Sequence, residues 1–527
     1  MKLFLSIIAG VVLAFLCETS VALPRSLLTG VSLDGLRKCT DAKCNVICKN
    51  MKMKWGKCMP DAELTNSTLI GASPITSKLK VALVESQDIS KARNWKLNPD
   101  QYSNRVSSLA PSSVAFLKRI GAWQHVEAAR VQPYEVMKVW DGVTGSSISF
   151  DWPDEPAQRD GSSKTIASMT ENANLIRGLL SHVEFLGGDN VSIFSSTKVT
   201  SISNGINHLN GPDLSGWPIL TLSPSSPAGN ASSIFPIAAR LLVGADGINS
   251  PVRSFAGITT HGWDYDRHGI VATLQLSPQG PNSQPVTAYQ RFLPGIGGPI
   301  AMLPLPDNHA TLVWSTTVQN AAYLKSLPVD AFTAMVNAAF RLSITDLSYM
   351  LSLPLTARQA SPDSKLESQH QEELIWRLKH TTIPSHVPPE VSSIQSGTVA
   401  SFPLRHRHAS TYISPRISLI GDAAHVIHPL GGLGLNLGVG DVTSLHGAIE
   451  YAIQHGMDIG DHLSLERYAA DRWMINAGVG GACDILHKMY NVAGHGPFAL
   501  ARGVGLDMVD RFTALKGFIM QRASSTA

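Results

Sequence analysis

The sequence predicts an α/β protein: a parallel sheet flanked by helices, a second, mixed sheet, and a helical C-terminal tail. Three observations predict it. Two short apolar strands, one ending at Gly244 and one at Ile420, each run through a glycine-containing turn into a helix start, the pattern of strands joined by crossovers. Between them, 267–317 alternates apolar and polar residues as half-buried strands do, in GIVATLQL and TLVWSTT. From Trp473 to Ala523 the pattern is mostly helical, with apolar residues at Phe512, Leu515 and Phe518.

Composition sets the limits. The chain has 527 residues, 44% of them hydrophobic and 16% charged, enough for two or more domains with cores of their own. A net charge of +3 makes no electrostatic case for nucleic acid. The cysteines are uneven: Cys17, Cys39, Cys44, Cys48 and Cys58 lie in the head, and Cys483 alone in the long body. A reduced, intracellular body is therefore expected behind a head of secreted character.

In the head, Lys2, the apolar stretch Leu3 to Leu16 and the small residues Ser20-Val21-Ala22 predict a secretory-type signal peptide over 1–22, too short to span a bilayer. Residues 23–68 are Cys-rich. Cys44 and Cys48 stand one helical turn apart and Gly56-x-Cys58 follows, so Cys39 to Met59 resembles the opening of a scorpion-type potassium-channel toxin. The closing Cys-x-Cys strand is absent, and the segment reads as a basic stub. It lacks paired Cys-x-x-Cys knuckles, so no zinc is expected.

The body begins with KLKVALVES, a buried-type strand ending at Glu85, where a dinucleotide fold places a ribose ligand. Taken alone, a strand that ends in a charge is the plainer account. The Gly-x-Gly-x-x-Gly turn belongs about 20 residues upstream of such an acid. Residues 60–72 hold one glycine, and no such turn occurs there. Arg105 is placed just before a helix that follows Pro111, with Val114, Leu117 and Ile120 at helical spacing. Gly244-Ala245-Asp246-Gly247 follows a buried strand and leads through Ser250 and Arg253 into a helix. Gly421-Asp422 ends the strand 416–420. His428-Pro429 sets a turn, and Gly431, Gly432, Gly434 and Gly438 lead into a helix from near Asn436 to about Tyr451. Its N-terminus offers free N–H groups and positive partial charge to a ligand. Pro429, directly after His428, interrupts the helical face that His425 and His428 would share for a metal, and no metal is expected. Asn204–Ser233 and Arg358–Glu373 read as polar loops.

Arg105, the Gly-Ala-Asp-Gly at 244–247 and the Gly-Asp at 421–422, in this order, resemble the aromatic-ring flavin monooxygenases. YSNRVSSLAPSSVAFLKRIGAW (102–123), VWDG (139–142), QRFLPGIGGPIAMLPL (290–305) and GDAAHVIHPLGGLGLNLGVGD (421–441) narrow the resemblance to the eukaryotic ubiquinone-biosynthesis hydroxylases, over about residues 69 to 525. The resemblance implies an FAD-binding, Rossmann-like domain at 69–260, a mainly substrate-side sheet at 261–400, and the Gly-Asp motif with C-terminal helices at 401–527. It implies FAD, O2 and a polyprenylated phenol as substrate, with no side-chain nucleophile, since the cofactor carries the chemistry. Ferredoxin and its reductase are the implied electron donor, within a biosynthetic complex peripheral to the matrix side of the mitochondrial inner membrane. Use of the leader would instead send the chain to the secretory pathway.

By motif match the cofactor contacts are Glu85, Arg105, Val199, Gly244, Asp246, Gly247, Gly421, Asp422, Pro429, Gly432, Gly434, Leu435 and Asn436. Two departures stand out. Gly432-Leu433-Gly434 replaces the family's Gly-Gln-Gly. The family's first strand and glycine-rich turn are absent where head meets body, between Cys58 and Leu69, as in a chimeric product. Two other readings remain open: a secreted channel-binding protein with a passenger body, and a flavin-free scaffold.

Overall fold

The computed structural model describes residues 73, 75–76, 78–152, 164–186, 190–207, 213–225, 235–278, 285–354, 368–384, 386–491 and 496–524. The expected signal peptide, the Cys-rich stub and the junction between them and the body lie outside the described residues.

The first layer is parallel. Strand β1 (Val81–Val84) is buried along its whole length, as its unbroken VALV run requires. Helix α1 (Pro111–Arg119) starts at a proline, and α2 (Asn172–Leu186) lays Leu175, Leu179 and Val183 against the core at helical spacing. It leads to β2 (Val191–Phe194), which pairs with β1 in parallel, Val81 opposite Val191 and Val84 opposite Phe194. Strand β3 (Leu242–Gly244) runs into the short helix α3 (Pro251–Phe255). β4 (Ile417–Leu419) pairs in parallel with β3 and, on its other edge, antiparallel with Ile413–Ser414. Helix α4 (Gly434–Gln454) covers these strands with Val439, Val442, Leu445 and Ile449. Helices α5 (His462–Asn491) and α6 (Pro497–Arg511) follow. Apolar residues of β1, β3, β4, α2 and α4 share one hydrophobic cluster. Gly244 is required where it stands: a Cβ there would lie 2.8 Å from Val252 Cβ and 2.9 Å from a Leu419 methyl.

This layer is split. Val81 N–H donates to Asn190 O, and Glu85 N–H to Phe194 O, so alternate amides face β2. Those of Ala82 and Val84 face the other edge, and both residues are 0% exposed. On β3, Leu242 N–H donates to Arg416 O and Gly244 O accepts from Ile420 N–H, which turns the Val243 amide away from β4. Among the described residues no strand joins β1 to β3. In a doubly wound sheet, the strand preceding β1 in the chain lies between these two.

The second layer is continuous. Nine strands form one mixed sheet, in the order His425–Val426, Ala400–Ala409, Thr260–Leu276, His309–Thr317, Gly298–Leu305, Thr287–Leu293, Val136–Asp141 and Ser147–Asp151, with Val391–Ile394 added beside Thr260–Leu276. Trp140, Ile300, Leu312 and Trp314 pack against helix Val329–Arg341 through Phe332, Met335 and Val336. The long strand Thr260–Leu276 is bulged between Asp264 and His268, with Asp266 at φ +51°.

Some expectations are corrected. Arg105 precedes a strand, Val106–Leu109, and the helix begins only at Pro111. That strand pairs with Ala167–Glu171, a partner distant in sequence. The polar segment 204–233 contains a strand, Pro218–Pro224, which buries Leu220 and Leu222 between Thr197–Asn204 and Phe235–Ala238. Its short alternation sits among turn formers, which mask it in sequence. Gln369–Leu378 is helical, with Ser368 capping it, where the polar segment 358–373 was expected to be loop throughout. Helix α4 starts at Gly434, two residues before the expected Asn436. Among the described residues no helix is long and apolar enough to cross a membrane.

Candidate active site

The carboxyl ends of β3 and β4 meet in two linked turns, the place where parallel sheets bind ligands. After β3, Gly247 takes φ +80°, a turn open to glycine. Asp246 Oδ2 accepts the Val252 N–H at 3.0 Å, and Ser250 Oγ accepts the Arg253 N–H at 2.9 Å, so both cap α3. Asp246 Oδ1 is buried without a hydrogen-bond partner. Burial pushes the Asp246 carboxyl above its ordinary range. An unpaired buried acceptor costs about 1–3 kcal/mol, so this oxygen is poised for a hydroxyl donor.

After β4, Gly421 adopts φ +56° and its N–H donates to Asp441 Oδ2 at 3.0 Å. Arg253 Nη1 donates to Ala423 O at 2.8 Å, tying the two turns together. Asp422 keeps solvent contact although protein surrounds it, the condition of a group on the floor of a cleft. Desolvation there raises its carboxyl, opposed by His425. Pro429 opens a short 3-10 turn to Gly431, closed by Gly432 at φ +63°. A Cβ on Gly432 would meet Ser108 Cβ at 3.3 Å, whereas one on Gly434 would meet nothing within 4 Å. Helix α4 then begins at Gly434 with no side-chain cap, leaving the N–H groups of its first turn, Leu435 included, open to a ligand.

The Asn436 side chain is bound within the protein. Its Oδ1 accepts from Ala110 N–H at 2.8 Å and Ser113 Oγ at 2.7 Å, and its Nδ2 donates to Ser108 O at 2.8 Å. The side chain clamps α4 to the start of α1, and only its backbone remains for a ligand.

A buried network behind the turns was not anticipated from sequence. Asp441 Oδ2 lies 2.6 Å from His425 Nε2, and Oδ1 accepts from Arg472 Nε at 3.1 Å and Asn476 Nδ2 at 2.8 Å. Burial alone would raise the Asp441 carboxyl; His425 and Arg472 outweigh it and hold it below the usual range. The available signal was an acid inside the apolar face of a helix, GVGDV, which demands partners.

At β1 the second group assembles. Glu85 Oε1 accepts the Gln87 N–H at 2.7 Å, and Thr197 N–H donates to Glu85 O at 2.8 Å. Val199 lies two residues on, half-buried against the core. Arg105 is exposed; its backbone bonds Ser103 Oγ and Asn172 N–H. The structure thus gathers Gly244, Asp246, Gly247, Gly421, Asp422, Pro429, Gly432, Gly434, Leu435 and Asn436 around the linked turns. Glu85 and Val199 stand together at the end of β1, and Arg105 joins neither group by a side-chain contact.

An FAD binding domain family model matches residues 352–477. The protein named "Ubiquinone biosynthesis monooxygenase COQ6, mitochondrial" of Schizosaccharomyces pombe is 38% identical over 461 residues, covering 86% of this chain and 88% of that protein. The chain belongs to this family. The COQ6 protein of Saccharomyces cerevisiae is 36% identical over 466 residues, covering 87% and 91%. Among solved structures, p-nitrophenol 4-monooxygenase PnpA from Pseudomonas putida matches with TM-score 0.59 at 16% identity, over 90% of this chain and 98% of that one. PqsL, a probable FAD-dependent monooxygenase from Pseudomonas aeruginosa, matches with TM-score 0.56 at 16% identity, over 86% and 98%. These two likenesses concern the fold.

Measured against the COQ6 family's cofactor, the linked turns fit the ring and ribityl half of FAD. They offer an unpaired Asp246 oxygen, an accessible Asp422 carboxylate and an uncapped helix start. Glu85 fits a ribose acceptor. Among the described residues no glycine-rich turn accompanies β1.

Proposed function

We propose that this chain is an FAD-dependent monooxygenase that hydroxylates the aromatic ring of a polyprenylated phenol or benzoate intermediate of ubiquinone. The unpaired, buried Asp246 Oδ1 at the junction of the two turns carries this reading. Bound FAD would supply the reducing equivalents and the activation of O2. The protein's share is placement. Asp246 and Asp422 accept hydroxyl protons of the ribityl chain, and Glu85 accepts those of the adenosine ribose. The backbone at Val199 borders the adenine, and Arg105 offers a cation to the pyrophosphate. The open first turn of α4, from Gly434 to Asn436, sets positive partial charge against the electron-rich edge of the ring. The nine-stranded sheet walls the substrate side and excludes water, which limits loss of the activated oxygen.

The same reading takes ferredoxin and its reductase as electron donor. It places the chain in a ubiquinone-biosynthesis complex, in peripheral contact with the matrix face of the mitochondrial inner membrane. The split between β1 and β3 favours a second reading, a flavin-free scaffold, which retained flavin would exclude.

The test is isotopic. Full-length chain, FAD, ferredoxin, ferredoxin reductase and a short-tailed prenylated phenol are incubated under 18O2, and the product is weighed. One 18O atom per product is expected. Reductant consumption without labelled product contradicts the assignment.

A further inference from the structure

We infer that His428, His487 and Tyr265 form the pocket that receives the ring hydroxyl of the substrate. This rests on the reading above and adds a recognition site to it.

Three elements that are distant in sequence deliver these side chains. His428 caps the turn that opens at Pro429, Tyr265 lies within the bulge of strand Thr260–Leu276, and His487 lies on α5. Their rings pack mutually, with centroids at 5.0 Å for Tyr265–His428, 4.6 Å for His428–His487 and 4.5 Å for Tyr265–His487. All three are more than nine-tenths buried, at 1%, 4% and 8% exposure for His428, His487 and Tyr265. Yet both ring nitrogens of His428 and Nδ1 of His487 have no hydrogen-bond partner, while the Tyr265 hydroxyl stands near the Asp484 carboxylate. Native interiors rarely leave one such group unpaired, and three in one spot mark a place that a polar molecule fills.

The chemistry of that molecule follows from the donors and acceptors. Burial, aided by His487 at His428 and by Arg267 at His487, lowers His428 to about 3 and His487 to about 4, so both are neutral near pH 7. A neutral imidazole offers one N–H donor and one acceptor nitrogen. A hydroxyl, itself donor and acceptor, satisfies such a pair; a carboxylate, which only accepts, does not. Among the described residues no group of three or more His, Cys, Asp or Glu could hold a metal ion. The apolar side is supplied next door. Leu430, Leu486 and Met489 pack with Phe292 and Tyr490, whose rings stack at 3.6 Å. A phenol has this composition: one hydroxyl on an apolar ring. The network around Asp441 uses none of these atoms.

The test compares two probes, a short-tailed prenylated phenol and its O-methyl ether, titrated calorimetrically into the full chain. The methyl ether cannot donate. We expect the phenol to bind about tenfold more tightly, equivalent to about 1.4 kcal/mol. His428→Phe should abolish that preference; His428→Asn, which keeps a donor and an acceptor, should retain part of it. If His428→Phe does not fold, judged by its thermal transition, His487→Phe is read in the same way. A preference that survives undiminished in the phenylalanine variant overturns the assignment. Equal binding of both probes by the unaltered chain also overturns it, and leaves the pocket to ordered water. Binding of neither probe removes the substrate class and the pocket's assignment together, whereas the other failures leave the monooxygenase reading standing.

Discussion

The inner strands of the nine-stranded sheet are paired on both edges, whereas β1 and β3 each have a single paired edge among the described residues. Both regions bury comparable apolar side chains, and Leu83 and Leu312 are 3% and 0% exposed. The difference lies in the backbone. In the nine-stranded sheet, His309–Thr317 bonds Thr260–Leu276 on one side and Gly298–Leu305 on the other. In the nucleotide layer, the amides of Ala82, Val84 and Val243 face a position that no described strand occupies. Hydrophobic clustering is therefore a poor guide to whether a sheet is complete. Side chains can share one core while, among the described residues, β1 and β3 are each paired on one edge only.

The comparison can be broken most directly by filling the position. Replacing residues 1–68 with a strand-Gly-x-Gly-x-x-Gly-helix unit should tighten FAD binding by about a hundredfold or more. Several backbone N–H groups would then reach the pyrophosphate, and hydrogen bonds to charged groups contribute about 1.5–3 kcal/mol each. A fluorescence titration gives the dissociation constant; an unchanged value would mean that the open edges do not limit binding.

Removing the network that holds the two turns gives the next effect. Asp441→Asn leaves Arg472 buried without its counter-charge and should cost about 3–5 kcal/mol in urea unfolding. A loss below about 1 kcal/mol would show that Asn476 and His425 hold the turns without it.

A finer comparison sets the two sheets side by side. Leu312→Ala, in a strand fixed on both edges, should cost about 2–5 kcal/mol, and Leu83→Ala distinctly less, because a strand paired on one edge can shift to close the cavity. Equal losses in matched unfolding experiments would mean that β1 is as firmly held as the centre of the large sheet.

The features legible in sequence were those whose chemistry is local. Gly244 to Gly247 and Gly421-Asp422 are turns fixed by glycine and by an acid at a helix start, and they stand where the pattern put them. The alternation in GIVATLQL and TLVWSTT also became strands, because period-2 burial needs only neighbours along the chain. What escaped was tertiary. Asp441 meets His425, Arg472 and Asn476 from separate elements, and no spacing rule joins them. His428 read as a turn residue and proved to be packed against Tyr265 and His487. The strand Val106–Leu109 after Arg105 owes its existence to pairing with Ala167–Glu171, and Pro218–Pro224 to two flanking strands; neither has a strong local pattern. The Asn436 side chain serves other parts of the protein, Ala110, Ser113 and Ser108, which no local pattern announces.

The most direct test of the account is the visible flavin absorbance of the purified full chain after loading with excess FAD, beside Asp246→Ala and Asp422→Ala. The account predicts that the unaltered chain takes up FAD and that each substitution weakens binding about tenfold or more, as loss of a hydrogen bond involving a charged partner does. A chain that binds FAD equally well with either aspartate replaced, or that takes up none, would contradict it.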